Sequence, residues 1–182
     1  LLFGLAGIAL GVLYSLGPVK LISVGLGETA VAVAFGILPV TGAAWLQGAP
    51  INTALLLFSL PVSAWVAAIL LINEVPDIKA DGDSGKNTLP VRLGLSGTAG
   101  LYFAVQLAAA LFVVLLSAHQ ALPMLAPLVP LALLVLAWRA AGAIRTGVDN
   151  RESMTQAIEA TLAIHTVGCV WLIGCALFGV WW

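Results

Sequence analysis

The sequence predicts an all-α protein, a polytopic bundle of six transmembrane helices. Three observations carry that reading. First, 62% of the 182 residues are hydrophobic and only 8% are charged, against about 25% charged in an ordinary soluble domain. Mean hydropathy is +1.12, so lipid is the solvent for most of the surface. Second, apolar stretches recur at about 20 residues, the length a helix needs to cross a bilayer. Third, all charge falls in alternate connections between those stretches.

The spans run in order over about 1–13, 28–47, 53–73, 97–118, 122–139 and 156–181. The first is short. The chain opens on Leu1 inside this apolar stretch, with no basic segment before it, which is not the pattern of a signal peptide. Gly36, Pro39, Pro61, Pro127 and Pro130 fall within spans. Membrane helices tolerate such residues because neighbouring helices satisfy the freed backbone groups. The connections 47–52 and 118–122 carry no charge. The connections 14–28, 74–95 and 139–159 hold every Lys, Arg, Asp and Glu. These three follow spans one, three and five, so they share one side of the membrane. All seven Lys and Arg are there, which makes that side cytoplasmic. The parity also tests the span count, since one helix more or fewer would divide the charges between two sides. The whole of 1–182 reads as one transmembrane domain.

A net charge of −1 gives no basic footprint for nucleic acid. Cys169 and Cys175, six apart in an apolar run, have no metal-ligand pattern around them and read as packing residues. His165, near Thr161 and Thr166, predicts an interhelical hydrogen bond rather than catalysis, and His119 falls at an outer turn. Trp171, Trp181 and Trp182 suit an interfacial aromatic belt. Arg139, Arg145, Asp149, Arg151, Glu152 and Glu159 read as headgroup anchors.

The connection 74–95 is richer. Asn73, Asp77 and Asp81 are spaced i, i+4, i+8, which on a helix lines three oxygen ligands along one face. Pro76 opposes a straight helix there. Two carboxylates and an amide are hard ligands suited to Mg²⁺, which bridges carboxylates to substrate phosphates. Lys86 and Arg92 follow, and Gly82 and Gly85 let the backbone fold back so that these cations approach the same phosphates. A solvated acidic loop between helices accounts for the same residues equally well.

The segment Asn73-x-x-x-Asp77-x-x-x-Asp81, followed by Gly85-Lys86-x-Thr88-Leu89-Pro90-Val91-Arg92-Leu93-Gly94, resembles the second aspartate-rich motif of the UbiA superfamily of intramembrane prenyltransferases. Tyr14-Ser15-x-Gly17-Pro18-x-Lys20-Leu21 and Gly25-Leu26-Gly27-Glu28 resemble the loop between that family's fourth and fifth helices. The Asn-Glu-x-Pro-Asp form and the Gly-Leu-Gly-Glu segment are most similar to the MenA branch, which prenylates 1,4-dihydroxy-2-naphthoate in menaquinone synthesis. The resemblance implies a nine-helix fold with a first aspartate-rich motif between helices two and three. Neither that motif nor the first three helices is in this sequence, so the chain reads as truncated at its N-terminus and doubtful as an enzyme by itself.

The resemblance further implies a polyprenyl diphosphate donor, an aromatic quinone precursor as acceptor, Mg²⁺ as cofactor, and a cavity facing the cytoplasm from the cell's inner (plasma) membrane. Asn73, Asp77 and Asp81 would hold one Mg²⁺. Lys20, Lys86 and Arg92 would clamp the diphosphate. Tyr14 would stabilise an allylic cation through its ring, or serve as a belt aromatic. Glu28 would orient the acceptor hydroxyl or act as base, or simply favour a helix start. Other acceptors remain open: 4-hydroxybenzoate, homogentisate or a glycerol-phosphate lipid precursor. So do an inactive remnant and a transporter fragment. The transporter reading lacks the mid-span charges that would line a path.

Overall fold

A computed structural model describes residues 2–16 and 19–179; Leu1, Gly17, Pro18, Val180, Trp181 and Trp182 lie outside the described residues. Among the described residues the chain is helical with no strand, as the composition requires. Helix α1 spans Leu2–Ser15, α2 Gly27–Leu46, α3 Thr53–Asn73, α4 Ile78–Asp83, α5 Leu89–Ala118, α6 Leu128–Thr146 and α7 Arg151–Gly179. Five of them, α2, α3, α5, α6 and α7, are long and apolar enough to cross a membrane, and α1 is a shorter apolar helix. This is a multi-pass membrane protein.

Proline and glycine account for the places where the helices depart from simple spans. Pro39 has no N–H to donate to Phe35, and the α ladder gives way to a π turn over Val33–Ile37. That turn brings Gly36 against Ser63 of α3, so closely that a Cβ there would sit 2.4 Å from the Ser63 Cα. In α5 the chain breaks at Gly94 (φ 64°, ψ 178°), a left-handed φ suited to glycine. A short helix from Leu89 therefore precedes the membrane span proper, which is why the expected start at 97 extends back to Leu89. Helix α6 begins later than its apolar pattern, at Leu128. Residues 119–127 form turns instead, with Gln120 at φ 58° and the Ser117 hydroxyl donating to Pro123 O at 3.0 Å. The helix then continues past Arg139 to Thr146 and ends on Gly147 at φ 64°.

Helix α3 is the hub. It packs on α2, α5 and α7, while α6 bridges α5 and α7. Trp65 of α3 is 2% exposed and lies against Gly168 of α7, where a Cβ would meet the indole at 2.6 Å. Small residues allow this approach, the usual route to close packing in lipid. Leu71, Ile72, Leu116, Ile144, Ile164 and Leu172 complete the core.

One polar network crosses it. The Tyr102 hydroxyl of α5 meets the Thr161 hydroxyl of α7 at 2.6 Å, and Gln106 donates to the Tyr102 oxygen at 3.2 Å. The interhelical hydrogen bond expected of His165 is thus made by Thr161 with Tyr102, and His165 takes no part in it. Tyr102→Phe should lower the thermal unfolding midpoint in detergent by the loss of about 1 kcal/mol, since Thr161 and Gln106 lose a buried partner. An unchanged midpoint would mean the network adds nothing. Trp171 is half-buried and donates to Ala126 O at 2.7 Å, tying α7 to the turns before α6.

Candidate functional site

The site builds from the end of α3. Pro76 cannot continue an α ladder, so α3 stops at Asn73 and the chain passes through i→i−3 turns. Val75 N–H donates to Ile72 O at 3.3 Å and Asp77 N–H to Glu74 O at 3.1 Å. Helix α4 restarts with Asp81 N–H donating to Asp77 O at 2.8 Å. The i, i+4, i+8 stripe is therefore broken between two helices. Asn73 and Asp77 are exposed, whereas Asp81 is 8% exposed.

Lys86 closes on Asp81. Its Nζ lies 2.6 Å from Asp81 Oδ1, and Gly85 at φ 78° makes the reversal that brings it there. The Asp81 carboxylate, reinforced by Asp77 and Glu74, holds the Lys86 ammonium above its ordinary pKa. Arg92 has a different engagement. Its guanidinium donates to Val24 O at 2.7 Å. Asn87 N–H donates to Ser23 O at 2.9 Å. These two bonds stitch the loop before α2 to the loop before α5. Gly25 (φ 72°) sits in the seam, where a Cβ would lie 3.1 Å from both Asn87 O and Arg92 Cζ. Gly25→Ala should loosen this seam through strain and crowding together, read as faster backbone amide exchange at Asn87 and Arg92; unchanged exchange would show the seam absorbs a Cβ. Lys20 is exposed at the start of a 3₁₀ turn over Leu21–Val24, and its ammonium makes no ion pair among the described residues.

Two further acids complete the cluster. Glu28, in the first turn of α2, and Glu74, just past α3, are each 7% exposed. Glu28 Oε1 and Glu74 Oε2 have no hydrogen-bond partner among the described residues. Burial pushes the Glu74 carboxyl up to about 8; the adjacent Glu28 carboxylate adds to this, and Asp81 adds less. At neutral pH Glu74 is therefore largely protonated, which lets the two carboxyls meet through one proton. Tyr14 lies beside them: a Cβ on Gly27 would come 3.6 Å from its Cε2. Glu74 belongs to a motif that sequence reasoning singled out, but it carried no role there. Its signal was an acid placed directly after a 21-residue apolar helix, where burial follows from the packing.

Glu28 also lines a cavity of about 340 Å³ between α2, α3 and α5. Its walls are apolar and mostly small, with Ala32, Ala64, Ala67, Val105 and Phe112 among them. Along α3 it runs from Leu60 to Leu71, about 16 Å at the helical rise. A larger cavity of about 670 Å³, lined by Pro123, Val170 and Phe178 among others, lies at the opposite end of the bundle and holds no titratable acid or base except the thiol of Cys175.

Among the described residues no three His, Cys, Asp or Glu side chains converge as a ready metal cage. The donors present still suit a hard divalent ion shared with phosphates: Asp77 and Asp81 supply two carboxylates, and the buried oxygens of Glu28 and Glu74 stand unpartnered. A cation that keeps waters and takes one or two protein carboxylates fits this set; zinc, which favours nitrogen and sulfur, does not.

The geometry defines a class: a lipid-embedded helix bundle with an apolar groove lined by a buried acid, Glu28, next to Glu74 and the Asp81–Lys86 pair. The chain belongs to the UbiA prenyltransferase family, whose pattern matches residues 1–164. It is similar to the 1,4-dihydroxy-2-naphthoate octaprenyltransferase of Escherichia coli, 38% identical over 52% of this chain and 30% of that protein. The protein of the same description from Haemophilus influenzae is 37% identical over 50% of this chain and 30% of its own. That of Mycobacterium tuberculosis is 32% identical over 84% of this chain and 49% of its own. The chain thus spans half or less of the length of these relatives. No solved structure matches it significantly.

Proposed function

We propose that this chain forms the part of a prenyltransferase that binds a polyprenyl diphosphate and presents it to an aromatic acceptor, 1,4-dihydroxy-2-naphthoate. The observation that carries the reading is the buried Glu74, which has the Asp81–Lys86 pair near it on one side and Glu28, lining an apolar groove, on the other. The relatives named for naphthoate prenylation support the acceptor. The charged end faces the cytoplasm, by the distribution of Lys and Arg, and the membrane is the cell's inner (plasma) membrane.

Asp77 and Asp81 would hold Mg²⁺ together with donors from outside this chain, with Asn73 at the rim. The ion, when bound, neutralises charge on the departing diphosphate. Lys86 turns from Asp81 toward a phosphate oxygen, and Lys20, without an acid partner among the described residues, closes from the other loop. Arg92 acts here chiefly by holding the two loops together through Val24 O. The prenyl tail lies in the groove between α2, α3 and α5, which keeps water from the allylic carbon. The carbon–oxygen bond breaks, both electrons leave with diphosphate, and the acceptor ring carbon forms the new bond as it loses carbon dioxide. Tyr14 presents its ring face to the developing cation. Glu28 accepts a hydrogen bond from an acceptor hydroxyl, which satisfies its orphaned oxygen.

The test is transfer of labelled polyprenyl diphosphate in membranes that contain the protein, with naphthoate and 4-hydroxybenzoate acceptors offered separately. Mg²⁺-dependent product with naphthoate alone is expected. Product with hydroxybenzoate alone would refute the acceptor, and none with either would refute the activity of this chain.

A further inference from the structure

A groove with a mixed polar and apolar lining lies away from these acids, between α6 and α7. It has a volume of about 400 Å³ and is lined by Arg139, Ser153 and Gln156 together with Leu136, Ala143 and Ala157. Arg139 is exposed and makes no ion pair among the described residues, although α6 carries it two turns before its end at Thr146. Its neighbour Arg145 differs, since its guanidinium lies 6.0 Å from the Trp138 ring. An unpaired guanidinium on a membrane helix calls for an anionic partner.

The helices run antiparallel, so the charges have an order in depth. Arg139 faces the groove opposite Gln156, and Glu152 stands one turn nearer the aqueous end of α7. Glu152 does not itself line the groove, but it accepts from Gln156 Nε2 at 3.3 Å, and Gln156 does line it. One turn is about 5.4 Å. A cation with an acid one turn further toward water complements a headgroup whose phosphate lies deeper than its amine. The apolar lining at Leu136, Ala157 and Ala160 continues into the bilayer, where an acyl chain would lie.

We propose that this groove is a binding site for an amine-bearing phospholipid, phosphatidylethanolamine. Its phosphate lies on Arg139, with Ser153 and Gln156 as further donors. Its ammonium donates to Glu152. The site is separate from the Asp81–Lys86 cluster and does not depend on what that cluster does.

The experiment is native mass spectrometry of the protein in detergent, titrated with phosphatidylethanolamine, phosphatidylcholine or phosphatidylglycerol. Tighter retention of phosphatidylethanolamine than of either other lipid is expected, because the choline headgroup has no N–H and the glycerol headgroup no amine. Arg139→Gln should weaken phosphatidylethanolamine binding about fivefold. Glu152→Gln should erase the preference over phosphatidylglycerol. Both side chains are exposed, so neither substitution disturbs the core, and an unchanged thermal midpoint confirms it. Equal retention of the three lipids, a preference untouched by Arg139→Gln, or one untouched by Glu152→Gln would each overturn the assignment.

Discussion

Asp81→Ala is expected to cut prenyl transfer by about 10² to 10³-fold, the loss typical when a preorganised charge is removed from a reacting centre. Asp81 combines the two properties the reaction asks of such a group. It is 8% exposed, so its field is poorly screened, and its Oδ1 holds Lys86 at 2.6 Å. Removing it takes away a metal donor and releases Lys86 from the position in which it meets phosphate. Asp77→Ala should fall in the same direction, because its carboxylate adds to the field at Lys86. Neither change removes apolar contacts between spans, so yield in the membrane and thermal midpoint should stay near those of the parent. Initial rates with saturating donor and acceptor check this. Transfer that survives both substitutions would show that the acids do not serve the reaction.

Gly36→Ala is expected to cost about 1–3 kcal/mol of stability, as overpacking does, although it adds a single methyl group. The new Cβ would approach the Ser63 Cα at 2.4 Å, and backbone cannot rotate aside as a side chain can. Helices α2 and α3 must therefore part. Ser63 lines the same cavity as Glu28, so transfer should fall along with the thermal midpoint. Gly100→Ala is the matched control: nothing lies within 4 Å of a Cβ there, and alanine favours the helix by up to about 1 kcal/mol. A drop at Gly36 with none at Gly100 is expected in detergent melts. Equal behaviour of the two would mean that α2 and α3 are not locked at this point.

The helix bundle was legible because lipid imposes a simple rule on sequence. A span must be apolar for about 20 residues, and charge is confined to the connections between spans. Apolar runs between charged or turn-rich connections thus mark the helices without any reference to packing. Helix ends were less legible. The break at Gly94 is a backbone conformation, and an apolar pattern reads through it. Pro123 and Pro127 hold α6 back to Leu128, yet Pro130 sits inside that helix, so the position of each proline, and not its presence, decides.

Within the site, the acids and Lys86 were legible as a set because their spacing is local. Their final relation was not. Pro76 divides the stripe, leaving Asp77 exposed and Asp81 buried. The approach of Glu74 to Glu28 joins residues far apart in the chain, and no spacing rule reports it. Arg92 shows the same limit: a cation beside an acidic motif reads as a phosphate clamp, while its shortest bond goes to a backbone carbonyl 68 residues away. Tyr102 and Thr161 likewise satisfy one another across two spans, where local sequence pointed to His165.

The central claim is that Asp77 and Asp81 bind a divalent ion and a diphosphate together. Equilibrium binding of a labelled polyprenyl diphosphate to the purified protein, with and without Mg²⁺, tests it most directly. The account predicts saturable binding that requires Mg²⁺ and that vanishes in the Asp77→Asn, Asp81→Asn double variant, whose carboxamides keep the shape and remove the charge. Binding of equal strength without Mg²⁺, or in the double variant, would contradict it.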